Sequence, residues 1–160
     1  NAKVTRAQFI TMLYRAAGAP EVTNAELGFK DAGDIAEAYK LAVAWGSENG
    51  IINGYNDGSF KPNQEISRAQ MAAFACRYLT SLGYEFDGSK LSFTDASEIS
   101  ASYIDAVKAM ASVGIIKGFN DGHFGPNETA VRGQAATILL RVVLLRVTNP
   151  IDNPTTTPVA

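Results

Sequence analysis

The chain is organised around residues 50–70, GIINGYNDGSFKPNQEISRAQ. This stretch returns at 114–134 as GIIKGFNDGHFGPNETAVRGQ, with ten of its first fourteen positions identical. Its closing part occurs a third time at 4–8, as VTRAQ. A loop repeated this closely is either a structural connection or a binding loop, and we expect it to be both.

The repeat divides the chain into units. A shift of 64 residues aligns Phe29 with Phe93 and Arg68 with Arg132, and a shift of 62 aligns Arg6 with Arg68. This period is longer than the roughly 33–34 residues of tetratricopeptide and ankyrin repeats. We therefore predict the second half of a first unit at 1–20 and complete units at 27–84 and 91–147. A linker rich in Pro and Thr is predicted at 148–160.

Each complete unit predicts the same order of elements: an F-x-D turn, a helix, a glycine-rich loop and a second helix. Asn56-Asp57-Gly58 is typical of a turn with positive φ, and Phe60 is expected to plug the loop into the core. Ser67 and Gln70 predict a capping box at the start of the second helix. The third copy has Val131 at the serine position and lacks the hydroxyl.

The second helices of the three units carry equivalent apolar stripes. One such helix cannot bury its stripe alone, whereas three equivalent helices can bury theirs against one another. The sequence therefore predicts an all-α fold with pseudo-threefold symmetry around a central three-helix bundle. The first unit lacks its first helix and loop. We expect its bundle helix to have an uncovered side, completed by an upstream segment or by another chain in a homo-oligomer.

Composition excludes several classes of function. The net charge of −2 gives no basic footprint for nucleic acid, and the absence of an apolar run of about 18 residues argues against membrane insertion. The single cysteine, Cys76, excludes an internal disulfide framework and a cysteine-based zinc site, and we expect it to be a core residue. The single histidine, His123, is expected at the solvated surface. We predict no catalytic site, no metal and no cofactor.

The ordered pattern F-x-D, helix, G-I-I-x-G-[YF]-x-D-G-x-F-x-P-N and [IV]-[ST]-R-A-[EQ] resembles the S-layer homology motif of bacterial surface proteins. The resemblance covers 29–82 and 93–145, with a half-motif at 4–17. It implies a secreted module at the cell wall or S-layer that anchors its protein non-covalently. The implied partner is secondary cell-wall polysaccharide, often carrying pyruvate ketals, bound in grooves between neighbouring motifs.

The resemblance also implies which residues bind the polysaccharide. They are the arginine after the cap, the glycine and aromatic residue of the loop, and a tryptophan of the first helix: Arg6, Arg68, Arg132, Gly54, Tyr55, Gly118, Phe119 and Trp45. A guanidinium matches the two oxygens of a pyruvate carboxylate, and the nearby helix start adds free N–H groups. We expect the best groove to pair Arg68 with the loop around Tyr55 and Lys61.

Several alternatives stay open from the sequence. The arginines are equally suited to salt bridges with Asp57 or Asp121, and Trp45 to a place in the core. Asp31 and Asp95 suit helix caps or turn formers. The competing function is a structural module for lattice or oligomer assembly without direct glycan binding. A third possibility is a tether for a surface enzyme whose catalytic domain lies outside this chain.

Overall fold

The computed structural model describes residues 2–88 and 91–151. These ranges contain five α-helices: α1 (Arg6–Ala16), α2 (Glu37–Glu48), α3 (Arg68–Ser81), α4 (Ile104–Ser112) and α5 (Arg132–Thr148). Short 3₁₀ turns at Ala32–Asp34 and Ala96–Glu98 precede α2 and α4. The described ranges hold no β-strand, only three isolated bridges, which confirms the all-α prediction. None of the described helices is long and apolar enough to cross a bilayer. Of the predicted linker, 152–160 lies outside the described residues.

A closed ring of backbone hydrogen bonds marks the pseudo-threefold axis. The residues two positions before the bundle helices are buried, and each donates to the next: Val4 N to Ala130 O (3.0 Å), Ala130 N to Ile66 O (2.9 Å) and Ile66 N to Val4 O (2.9 Å). Below this ring α1, α3 and α5 contact one another. Three equivalent helix starts therefore satisfy one another's backbone groups in a place that water does not reach.

The first helix of each unit packs on the bundle helix of the preceding unit. Thus α2 lies on α1, and α4 lies on α3. Among the described elements, α5 carries no such partner, and its Leu140 is 59% exposed. Tyr14 and Cys76 occupy the equivalent positions of α1 and α3 and are both partly buried. The expectation that the first unit's bundle helix is uncovered is therefore wrong, because α2 of the second unit covers α1.

The local signals of the sequence are largely confirmed. Thr5 and Ser67 each cap their helix in a full capping box. Val131 has no side-chain acceptor, so at α5 only the reverse half of the box remains, with Val131 N donating to Gln134 Oε1 at 3.2 Å. Phe60 is fully buried against Phe29, their ring centroids 5.4 Å apart, as the plug prediction requires.

Candidate functional site: two arginine grooves

In each complete unit, the aspartate of the F-x-D turn forms hydrogen bonds with backbone amides of the loop. The Asp31 carboxylate accepts the amide N–H groups of Phe60 and Lys61, each at 2.8 Å. Asp95 accepts the equivalent amides of the third unit, also at 2.8 Å. Neither aspartate caps its helix, so the cap alternative is wrong, whereas both residues lie in turns as the other alternative predicted. Burial raises the pKa of Asp95, but the two amide bonds outweigh it and hold that pKa below its usual range.

We call this pair of hydrogen bonds between the aspartate and the loop amides the clasp. The residue that follows the buried phenylalanine of the loop has a positive φ. Lys61 has φ +56°, and Gly125, its counterpart, has φ +69°. Only glycine adopts this region without a steric cost. The second unit therefore keeps a lysine where the backbone prefers glycine. Its ammonium lies 4.2 Å from the centroid of the Tyr55 ring.

We give the name groove A to the cluster of Arg6, Tyr55, Lys61, Gln70 and Tyr103, which is equivalent to the cleft beside Arg68 described below. The Nε of Arg6 donates to the carbonyl of the plug residue of the next unit at 2.9 Å, and its guanidinium carbon lies 4.7 Å from the Tyr55 centroid. Gln70 Nε2 donates to the Tyr55 hydroxyl at 3.0 Å and reaches the Tyr103 hydroxyl at 3.5 Å. The groove thus sets a flat cation beside two phenol hydroxyls and an amide.

Groove B consists of Arg68, Lys117, Phe119, Gln134 and Arg141, and is the equivalent site one unit further on. Arg68 donates from Nε to the Phe124 carbonyl at 2.7 Å and from Nη2 to the Lys117 carbonyl at 3.2 Å. Its guanidinium carbon lies 4.6 Å from the Phe119 centroid. These residues line an open cleft of about 450 Å³.

The expected partnership of Arg68 with Tyr55 and Lys61 is wrong. Tyr55 and Lys61 lie in the groove of Arg6, while Arg68 meets the loop of the third unit. The reason is the backbone, since Arg6 N donates to Gln64 O at 2.9 Å and Arg68 N donates to Glu128 O at 3.0 Å. Therefore α1 and α3 each start against the end of the following unit's loop.

The two groove arginines are desolvated without a carboxylate partner. Arg6 is 4% exposed and Arg68 is 7% exposed, and among the described residues neither forms a salt bridge. The Asp57 carboxylate instead accepts a hydrogen bond from the backbone amide of Ser59, with 2.9 Å between Oδ1 and N. Asp121 accepts from His123. The salt-bridge alternative is therefore wrong for these two arginines.

Burial has an electrostatic consequence for both cations. It lowers the pKa of Arg6 and of Arg68, and at Arg68 the more distant Glu128 and Asp95 offset this only in part. Both Nη atoms of Arg6 lack a hydrogen-bond partner in the described part of the chain, and neither is sealed from solvent. A buried guanidinium whose remaining N–H donors reach solvent is stabilised by an anion that binds next to them in the groove.

The remaining predicted site residues are placed differently. Arg132 is exposed, and no aromatic ring of the described ranges lies over it. Trp45 is 3% exposed and packs between Tyr14 and Tyr78, with ring centroids 5.3 and 5.7 Å away. Tyr14 is eight residues after Arg6 in α1, so Trp45 lies about 12 Å along the bundle from the groove arginine.

The two loop glycines are close-packing positions. A Cβ on Gly54 would lie 2.8 Å from Phe29 Cε1, and one on Gly118 would lie 2.9 Å from Phe93 Cε1. Their nearest neighbours are thus the aromatic rings of the F-x-D turns. They allow the loop to approach its own turn closely, which places the following aromatic residue under the arginine.

Sequence reasoning missed several polar residues of the grooves. Gln70 was identified only as half of a capping box, and its reach to Tyr55 needs the fold. Arg77 and Arg141 hold the loops by donating to Ile51 O (3.3 Å) and Ile115 O (3.1 Å). Their identical spacing in two units was the available signal.

The single histidine is also more engaged than expected. His123 stacks on Phe119, with centroids 4.4 Å apart, and its ring nitrogens contact Asp121 and Glu128. The predicted surface position of His123 is confirmed, since about a third of its side chain (32%) is exposed, but its contacts were not predicted. Phe119 therefore contacts both the Arg68 guanidinium and the His123 imidazole.

Comparison with known proteins agrees with the repeat. The chain is 37% identical to an endoglucanase of Bacillus sp. (strain KSM-635), over 85% of the chain and 14% of that protein. It is 28% identical to a cellulosome-anchoring protein of Acetivibrio thermocellus, over 86% of the chain and 31% of that protein. It is 35% identical to the surface-layer 125 kDa protein of Lysinibacillus sphaericus, over 63% of the chain and 8% of that protein. The chain thus spans less than a third of each of these relatives.

The family comparison matches both complete units. The S-layer homology domain matches residues 28–72 and 92–136, which contain both F-x-D turns, both loops and the starts of α3 and α5. The matched segments cover more than half of the chain. The chain therefore belongs to the S-layer homology domain family, whose members are anchoring modules of the bacterial cell surface.

Proposed function

We propose that this chain holds its protein at the bacterial cell wall by binding an acidic, pyruvate-bearing wall polysaccharide in grooves A and B. The observation that carries the proposal is the pair of buried guanidinium groups that lack a carboxylate of their own. A carboxylate that enters the groove supplies the missing charge. Charge-assisted hydrogen bonds of this kind contribute about 1.5–3 kcal/mol each.

The aromatic residues of the grooves support a sugar ligand. Tyr55 and Phe119 present ring faces next to the cation, and Phe119 keeps a partly exposed surface. Because Lys61 and His123 also contact these rings, a sugar meets their exposed edges, while its hydroxyls meet the amides of Gln70 or Gln134. The combination of a buried guanidinium, further cations such as Lys61 or Arg141, and neutral polar groups suits a sugar chain that carries carboxylates.

Avidity makes two weak sites sufficient. Two grooves on one chain that engage one polymer raise the overall affinity without any further contact, because the second binding event becomes intramolecular. The module itself is proposed to be a tether rather than a catalyst. Its enzyme relative, the endoglucanase, is far longer than this chain.

The test is a binding titration with wall polysaccharide, before and after chemical removal of its pyruvate groups. Arg68→Ala should weaken binding to the pyruvylated form by about 10-fold to 150-fold if groove B supplies one charge-assisted contact. Arg68→Lys should also weaken it, since the charge stays but the two-point geometry is lost. Arg15→Ala removes an equal charge from an exposed position of α1 and should bind like the wild type.

Two results would overturn the proposal. One is equal affinity of wild type and both Arg68 variants when all three are folded by thermal melting. The other is undiminished binding after pyruvate removal. Arg68→Lys keeps the test valid if Arg68→Ala, which leaves two carbonyl groups unpaired, is too unstable to fold.

Assembly through α5 is the second candidate. Its exposed apolar residues include Leu140, Leu144 and Val147, and Leu140 lies where α2 covers α1 and α4 covers α3. A second copy of the chain that covers this face would form a dimer. Sedimentation of the wild type and of Leu140→Ser should then show a concentration-dependent dimer that the variant loses. A wild type that sediments as a monomer at every concentration would reject this candidate.

A further inference from the structure

The aromatic ring of each groove contacts a second basic side chain besides the buried arginine. The Tyr55 centroid lies 4.7 Å from the guanidinium carbon of the arginine of groove A and 4.2 Å from the Lys61 ammonium. The Phe119 centroid lies 4.6 Å from the guanidinium carbon of groove B, and the His123 ring is stacked on it at 4.4 Å and 18°. The second cation is permanent in groove A, whereas in groove B it exists only while the imidazole is protonated.

The contacts of the imidazole fit its protonated form. Nδ1 of His123 contacts Asp121 Oδ1, and Nε2 lies 3.2 Å from Glu128 Oε1. A carboxylate only accepts hydrogen bonds and a neutral imidazole has one N–H, so both contacts are satisfied only by the imidazolium. The hydrogen bond to Asp121, and after it the bond to Glu128, raises the pKa of His123. The ring is therefore a cation below about pH 6.5 and becomes neutral as the pH rises through a higher value.

Other charged groups reach the imidazole from neighbouring segments. Asp95 of the F-x-D turn and Glu98 of the 3₁₀ turn line the same cavity as the imidazole, with a volume of about 430 Å³. From the start of α3, the Arg68 guanidinium contacts the Phe119 ring. The carboxylates favour the protonated imidazole, and the guanidinium opposes it. Loss of the proton therefore leaves the carboxylates without their counter-charge and makes the surroundings of groove B more negative.

Three differences between the two loops build this arrangement together. The third unit has His123, Gly125 and Glu128 where the second unit has Ser59, Lys61 and Gln64. A Cβ on Gly125 would lie 2.7 Å from Glu128 Cδ, so the glycine leaves the carboxylate room beside the imidazole. In the second unit the Ser59 hydroxyl donates to Asp57 Oδ1 at 2.6 Å instead. The lysine of one loop is thus replaced by a histidine that has its own glutamate.

We propose that His123 is a positioning residue of groove B, which binds its acidic ligand more tightly when the imidazole is protonated, whereas groove A binds equally over the same pH range. This inference rests on the proposed function and adds a regulation of one of its two sites. The charge of the imidazolium attracts the ligand carboxylate. Its bonds to Asp121 and Glu128 also fix the ring that stacks on Phe119, so both effects have the same direction. A unit charge about 10 Å from the ligand, at a dielectric between those of water and a protein surface, changes the affinity by about two- to fivefold.

NMR can follow the two grooves separately in one ¹³C-labelled sample. The ring signals of Phe119 and Tyr55 report grooves B and A during titration with a short pyruvylated oligosaccharide of the wall polysaccharide. Between about pH 6 and about pH 9, half-saturation of groove B should come to need about two- to fivefold more oligosaccharide, while groove A stays constant. The chain has one histidine, so its pKa is read from one imidazole signal. By linkage, saturating oligosaccharide should raise the pKa of His123 by the logarithm of the same factor, about 0.3–0.7.

Variants separate this role from a merely structural one. His123→Ser introduces the residue of the second unit and should give groove B the weaker affinity at every pH. Glu128→Gln, also the residue of the second unit, should lower the pKa of His123 and shift the binding profile of groove B to lower pH together with it. Glu37→Gln removes an exposed carboxylate of α2 and should leave both unchanged. Thermal melting at each pH verifies that the variants are folded.

Several outcomes would overturn the inference. One is a groove B that binds with a single affinity while the imidazole signal titrates. Another is a pKa of His123 that the oligosaccharide leaves unchanged. A His123→Ser variant that keeps the wild-type pH profile would assign that profile to another group. The absence of binding in both grooves at every pH would reject the proposed function itself, and with it this regulation, so the two failures are distinguishable.

Discussion

A side chain added at a glycine of the repeated loop can lower the unfolding free energy in two ways: through a left-handed backbone, or through a close approach to another atom. Three glycines allow these two losses to be measured separately. Gly50 has φ +69° with open space where a Cβ would lie. Gly118 lies outside the left-handed region, but its Cβ would lie 2.9 Å from the His123 carbonyl oxygen. Gly54 combines both features, with φ +72° and a Cβ position 2.9 Å from the Ser59 carbonyl oxygen.

The expected losses of unfolding free energy follow from these geometries. Gly50→Ala should cost about 1–2 kcal/mol for a left-handed alanine. Gly118→Ala should cost about 1–3 kcal/mol for overpacking against a backbone oxygen. Gly54→Ala should cost about the sum, roughly 2–5 kcal/mol, because both terms act at one residue.

Urea unfolding followed by far-UV circular dichroism measures all three values, provided the slope with urea stays unchanged. The reasoning is refuted if Gly54→Ala costs no more than Gly50→Ala, since the close approach would then carry no energy. It is equally refuted if Gly118→Ala unfolds like the wild type. A loss of glycan affinity in Gly54→Ala without a loss of stability would make this glycine a direct ligand contact instead.

Three further predictions concern caps and titrating groups. Val131→Ser should restore the hydroxyl cap of α5 and raise the unfolding free energy by about 0.5–1 kcal/mol in urea titrations; no gain would mean that the helix start cannot use a cap. Asp121 and Glu128 raise the pKa of His123, so its contribution to stability is full below about pH 6.5 and is lost as pH rises through the folded value. An NMR titration that gives an unshifted or lowered histidine pKa would contradict this. Asp95 has a lowered pKa, so its contribution to stability is full above about pH 3.9 and is lost as the pH falls through the folded value. Asp95→Asn should therefore weaken the dependence of stability on pH in this acid range. An unchanged dependence would contradict the role of the Asp95 hydrogen bonds to the loop amides.

The parts of the fold that the sequence predicted are those set by neighbouring residues. Capping boxes join residues three positions apart, and Phe60 stands out as apolar within a polar loop. The repeat strengthened each of these predictions, because the same elements recur in both complete units. These are short-range effects of spacing and side-chain type, and they need no knowledge of which unit packs on which.

The parts that could not be predicted depend on partners far along the chain. The Arg68 guanidinium bonds a carbonyl 56 residues away, and Asp31 bonds amides 29 and 30 residues away. Helical periodicity indicates that α1 has a face to bury, but α2 and an equivalent helix of its own unit would suit that face equally well. The packing of each first helix on the bundle helix of the preceding unit could therefore be found only from the structure. The same is true of the pairing of Arg6 with Tyr55.

Because each first helix packs on the preceding unit, each groove combines residues of more than one unit. Arg6 belongs to the first unit and Tyr55 to the second, and Arg68 and Phe119 are divided in the same way. A ligand that binds only the assembled groove stabilises the packing of successive units, by about 2.7 kcal/mol at a ligand concentration of 100 times Kd. The same contacts that bury the arginine also order the loop, so anchoring and folding are thermodynamically coupled. Arg132, which no loop of the described residues covers, lies outside this coupling.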